Sequence, residues 1–76
     1  MMKLKRIGQN ETELQYNGII ILFSYEIPVA ALALDGTAYC TTKKYSSTTS
    51  SHIAKAVKRW GAKRQDVDQL TIESLL

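Results

Sequence analysis

From Glu11 onward, apolar and polar residues alternate in short runs, and the runs are separated by pairs that favour turns. Over Glu11–Tyr16, Leu14 and Tyr16 fall on one side of a strand, Glu13 and Gln15 on the other. Asn17-Gly18 follows, the strongest short signal for a hairpin, because a type I′ turn needs positive φ at both central positions. The next run, Ile19–Tyr25 (IIILFSY), is β-branched and aromatic with both faces apolar, the pattern of a central strand. Glu26-Ile27-Pro28 interrupts it, since proline lacks a donor and belongs at a strand start, edge or bulge. Val29–Leu34 is short, follows proline and runs into Asp35-Gly36, which favours a strand and a second hairpin over a helix. Thr37–Thr42 returns as a strand, with Tyr39 and Thr41 on one face and Ala38 and Cys40 on the other. Before Glu11 the alternation is too weak to choose between an edge strand over Lys3–Ile7 and a loose terminus.

The period then changes. Tyr45–Ser51 reads as a hydroxyl-rich loop, with Thr48, Thr49 or Ser50 as the N-cap of a helix. Ile53, Ala56, Val57 and Trp60 recur on one helical face, with Lys55, Lys58 and Arg59 on the rest of the cylinder. Gly61 stands where a helix stop is expected, and the basic last turn suits the helix dipole. Asp66 or Asp68 is placed to cap a short final helix, with Leu70, Ile72, Leu75 and Leu76 partly buried. The small residues Ala30, Ala31, Ala33 and Ala38 allow close packing of a helix on the sheet. The expected fold is α+β: one small domain over 1–76, built as a four-stranded antiparallel meander with one amphipathic helix packed on it and a short C-terminal helix.

Size limits the core. A chain of 76 residues buries only about 60% of its unfolded surface, which leaves room for a homo-oligomer or a partner-covered sheet face. The single cysteine, Cys40, excludes an internal disulfide, and with His52 as the sole histidine the chain lacks the ligands of a structural zinc site. Cys40 is therefore expected in the core, and no cofactor is expected. The opening MMKLKRIG has basic residues without an apolar stretch behind them, unlike a signal peptide. The apolar run from Gly18 to Leu34 is interrupted by Tyr25, Glu26 and Pro28, too polar for a membrane span. A soluble, cytoplasmic protein without membrane partners is expected.

The net charge is +3, and it is segregated: residues 1–10 carry +3, residues 11–42 carry −4, residues 43–64 carry +7 and residues 65–76 carry −3. The run Lys43–Arg64 thus holds every cation of the +7 block and no acid. Such a block suits nucleic-acid phosphates or an acidic protein surface, although charged helical arcs are most often simply solvated.

Two phrases, LFSYEIPVAA at residues 22–31 and KKYSSTTSSHI at residues 43–53, resemble the paired signature of a family of small bacteriophage and bacterial proteins of unknown function, in which an LFSY-x-TPVA phrase precedes a KxYS-x-TTSxHI phrase. Ile27 stands where that family commonly has threonine. The resemblance implies a phage or prophage context and no activity. It directs attention to Tyr45, Thr48, Thr49 and His52, which match the second phrase.

The candidate site follows from these features. Free amides and hydroxyls at the helix start (Thr48, Thr49, Ser50, Ser51), without an acid in the first turn, suit an anion, although an ordinary cap explains them too. Lys43, Lys44, Lys55, Lys58 and Arg59 would meet phosphates, while Lys63 and Arg64 extend the basic run. Phe23, Tyr25, Tyr39 and Trp60 fit the core better than a base-stacking surface. His52 is expected to tie the hydroxyl loop to the helix rather than act as acid or base, because no triad can be read from the spacing. A phage-encoded accessory protein binding nucleic acid is therefore expected, not an enzyme. A host-protein binder, for counter-defence or takeover, and a small anionic or nucleotide ligand are the alternatives.

Overall fold

The computed structural model describes residues 3–75. Six strands and two helices follow one another as β1 (Lys3–Gly8), β2 (Glu11–Tyr16), β3 (Ile19–Ser24), β4 (Ile27–Leu32), β5 (Thr37–Thr41), α1 (Ser47–Trp60), β6 (Lys63–Val67) and α2 (Gln69–Ser74). All six strands form one sheet in sequence order, antiparallel from β1 to β5, with β6 parallel to β5. The expected meander is present as β2–β5, but the sheet is mixed and two strands wider. β1 resolves the ambiguity of the first residues in favour of an edge strand. β6 takes up Lys63 and Arg64 at the end of the basic run and continues to Val67; four of its five residues, KRQDV, are polar, and those four are exposed. A strand exposed on both faces carries no period-two alternation, so its sequence looks like a loop. Return to a parallel neighbour needs a crossover, and α1 supplies it.

Local chemistry sets the strand ends. Asn17 and Gly18 both have positive φ, 51° and 82°, as a type I′ turn requires. Between β3 and β4 the turn is Tyr25-Glu26, and Tyr25 has φ of 60°, costly for a bulky side chain. In β4, Leu22 faces Ala30 while Phe23 faces Pro28, so Val29 is the extra residue of a bulge. The bulge lets β4 begin at Ile27, two residues before the expected start, with proline inside the strand. Helix α1 also begins earlier than expected. Its N-cap is Ser46, whose hydroxyl accepts from the Thr49 amide at 3.2 Å, so Thr48, Thr49, Ser50 and Ser51 lie inside the helix rather than before it. Serine and threonine are poor helix formers yet tolerated in a first turn that is capped and packed. Gly61 closes α1 in the left-handed conformation, with φ of 61°. Asp68, one of the two expected caps, caps α2 by accepting from the Thr71 amide.

The two helices cover opposite faces. On one, Leu22, Val29, Ala30 and Cys40 meet Ile53 and Ala56 of α1, with Val57 and Trp60 beside them. On the other, Leu14, Ile21 and Ala31 form a second cluster against Leu75. Ile72 is fully buried, and α2 lies against β4 and β5. The alanines serve both helices, Ala30 under α1 and Ala31 on the opposite face. Leu70, expected to be partly buried, is 73% exposed, because a single turn and a half of helix cannot bury Leu70 and Ile72 together. Leu76 lies outside the described residues. No helix among the described residues is long and apolar enough to cross a membrane.

Two outcomes follow. A Cβ added at Gly61 meets nothing within 4 Å, so Gly61→Ala carries only the left-handed penalty and lowers unfolding stability in urea by about 1 kcal/mol. Burial pushes the Cys40 thiol up from its ordinary value, more than Arg64 lowers it. At pH 8 a thiol reagent therefore modifies Cys40 at the rate of unfolding, and added denaturant accelerates the reaction.

Candidate functional site

Strand β2 sends two acids toward α1. In an antiparallel pair, opposed residues share a face, so Glu11 lies beside Ser24 and Glu13 beside Leu22, both under the helix. Each acid meets a helical partner. Glu13 accepts from the Arg59 guanidinium and from the Trp60 indole, the latter at 3.1 Å. Arg59 is thereby committed to a buried carboxylate, and Trp60 keeps its ring on the core while its N–H is satisfied.

Glu11 belongs to a longer array. The Ser46 hydroxyl donates to Thr49 Oγ1 at 3.3 Å, and Thr49 Oγ1 lies 3.0 Å from Ser24 Oγ. Ser24 Oγ lies 2.8 Å from His52 Nδ1, and His52 Nε2 is 4.0 Å from Glu11 Oε2. Each hydroxyl has one proton and two lone pairs, so Ser24 bridges Thr49 and His52 Nδ1 while the Nε2 edge of the imidazole faces the carboxylate. The Tyr25 ring flanks the imidazole, centroids 6.2 Å apart. Glu11 Oε1 is buried without a hydrogen-bond partner among the described residues.

A serine, a histidine and a glutamate in line suggest nucleophile activation. Ser24, however, is only 1% exposed, and none of the described surface depressions is lined by it. The array is a clamp that fastens the first turn of α1 to β3. His52 thus makes a structural hydrogen bond, but to a strand rather than to a loop. Spacing hid this constellation because Glu11, Ser24 and His52 lie on three elements. One signal was present: Ser24 and Tyr25 fall in the first of the two resembling phrases, and Ser46, Thr49 and His52 in the second. The fold brings those phrases into contact.

The outward-facing residues form a different surface. Lys43, Lys44, Thr48, Ser50, Ser51, Lys55 and Lys58 are exposed, and Tyr45 is half-buried under Lys43, whose Nζ lies 5.3 Å from the ring centroid. A polar cleft of about 240 Å³ is lined by Lys43, Lys44, Tyr45, Ser50, Arg64 and Asp66, among others. The structure therefore divides the expected site. Thr49, His52 and Arg59 are bonded to the body of the protein, while the lysines and the remaining hydroxyls face solvent. Phe23 and Trp60 are half-buried, as expected of core aromatics, but Tyr25 is 50% exposed. Among the described residues no group of three or more His, Cys, Asp or Glu is placed to hold a metal ion.

The chain matches a family of unknown function, DUF8033, over residues 2–74, and belongs to it. No curated protein and no solved structure matches the chain.

The clamp is separable from the surface by mutation. Ser24→Ala leaves His52 Nδ1 without its partner in a buried position, removes one of the two bonds of Thr49 Oγ1, and lowers stability by about 1–3 kcal/mol. Ser51→Ala, on the exposed side of the same turn, stays within about 0.5 kcal/mol of the parent. Equal effects of the two substitutions in chemical denaturation would contradict the clamp.

Proposed function

We propose that the protein is a phage-encoded accessory factor that binds nucleic acid along the outer face of α1 and the cleft at its N-terminal end. One observation carries the reading. Of the cations between Lys43 and Arg64, only Arg59 and Arg64 have a carboxylate within 4.0 Å among the described residues. Lys43, Lys44, Lys55, Lys58 and Lys63 have none, and all five are exposed. Five unneutralised lysines on one helix and its flanks favour a polyanion, with Thr48, Ser50 and Ser51 as added donors. Thr49 and His52 drop out of the contact set because they are buried against Ser24, and Arg59 because its charge is paired with Glu13. The phage context rests on the two resembling phrases, and the role is binding rather than catalysis.

A second reading has its own support. On the face opposite α1, Leu4, Leu14, Phe23 and Tyr25 line an open, largely apolar depression of about 420 Å³, with Leu4 68% exposed. Exposed apolar surface of this kind suits a host protein better than a phosphate backbone.

Fluorescence anisotropy with labelled single- and double-stranded oligonucleotides separates the two. If about four lysines neutralise phosphates, affinity falls roughly 50-fold or more between 50 and 200 mM salt. The variant Lys55→Ala/Lys58→Ala lowers the salt slope by about two. Absence of binding at low salt, or binding indifferent to salt, rejects nucleic acid as the ligand. A nuclease-resistant, stoichiometric host protein that is lost on Leu4→Asp then supports the second reading. Stabilisation by inorganic phosphate or a mononucleotide alone, seen as a raised Tm, indicates a small anion instead.

A further inference from the structure

The two edges of the sheet differ in what they allow. Strand β6 pairs with β5 on one side, and its other side is open among the described residues. The Val67 carbonyl accepts from the Thr42 amide at 2.8 Å. Backbone groups alternate in direction along a strand, so Lys63, Gln65 and Val67 turn theirs toward β5. Arg64 and Asp66 turn theirs toward the open edge. Lys63 to Asp66 are exposed, so nothing described covers this ladder. At the far edge, β1 carries Lys3, Lys5 and Arg6 and no acid, and two such strands brought together oppose like charges. The β6 edge has no such guard. Arg64 and Asp66 stand symmetrically about Gln65 and already bond each other on one face, Nε to Oδ1 at 2.9 Å.

We propose that β6 is a self-recognition edge, through which two copies of this chain pair antiparallel about a two-fold axis at Gln65. In that register Arg64 of each copy stands directly opposite Asp66 of the other. These are the residues whose backbone groups are free, so each such pair exchanges both main-chain bonds. Their side chains lie on one face, and opposite charges meet across the junction. The contact is isologous and closes on itself, while the cationic β1 edges stop further growth. The result is one sheet with six strands from each copy. A two-fold normal to the sheet preserves its faces, so both α1 helices lie on the same side. Arg64 and Asp66, which border the basic cleft of each copy, flank the axis. The association does not depend on the nucleic-acid reading.

Sedimentation velocity on the full chain tests this, from about 10 µM to about 1 mM because a five-residue edge buries little area. The expected result is a shift from monomer to dimer that ends at dimer. Arg64→Asp alone and Asp66→Arg alone each place like charges across the axis and weaken the dimer about tenfold or more. An equimolar mixture of these two variants forms a heterodimer, because all-acidic and all-basic edges then face each other. The combined variant Arg64→Asp/Asp66→Arg restores self-association. Circular dichroism checks that each variant is folded. A parent chain that stays monomeric throughout, growth past dimer, single variants that associate like the parent, or a mixture that stays monomeric would each overturn the proposal. Because the parent concentration series needs no substitution, a variant that fails to fold leaves the test intact.

Discussion

The bond between Ser24 and His52 is the contact on which the arrangement of the sheet and α1 depends. A helix whose first turn reads STTSS has weak intrinsic reasons to form, since these side chains compete for backbone groups in other conformations. Here that competition is ended by position. Ser46 caps the turn, Thr49 shares a hydrogen bond with Ser24, and His52 completes the connection to the strand. Glu13 holds the far end of α1 through Arg59 and Trp60. The helix is thus held along one side by a row of polar contacts to β2 and β3, and along the middle by Ile53 and Ala56 on Leu22, Ala30 and Cys40. Apolar contacts alone let a helix slide on a sheet with modest loss. Directional bonds to fixed strand positions set its register.

That division of labour also explains the surface. Glu13 of β2 neutralises the helical cation that leans toward it, and among the described residues Lys55 and Lys58 on the outer side stay unpaired. The segregated charge of the sequence therefore becomes a polarity across the molecule: acids of the second strand beneath the helix, lysines above it.

Much of the fold could be read from residue pattern, and the exceptions share a cause. β2, the Asn17-Gly18 turn, the apolar face of α1, Gly61 and the Asp68 cap were all local: each depends on residues within one turn or one hairpin. β6 was not visible because an exposed strand borrows its order from β5 and has no pattern of its own. The true start of α1 was hidden because hydroxyl residues mark both loops and capped first turns, and only the Ser46 geometry distinguishes them. The clamp lay beyond spacing altogether, since its side chains come from β2, β3 and the start of α1. The basic residues were legible as a block, but which of them remain free was decided by Glu13 and Asp66.

The two-residue turn at Tyr25 adds a further constraint. Its backbone sits in a region that glycine occupies freely and tyrosine does not, yet its amide is held by the Asn10 carbonyl at 2.7 Å and its ring lies against His52. Those contacts tie three chain reversals together: the β1–β2 turn, the β3–β4 turn and the start of α1. Movement of any one of them is felt by the other two. The end of the sheet where they converge is accordingly a single mechanical unit, whereas at the opposite end the Asn17-Gly18 and Asp35-Gly36 turns meet side by side, with Leu34 against Gly18.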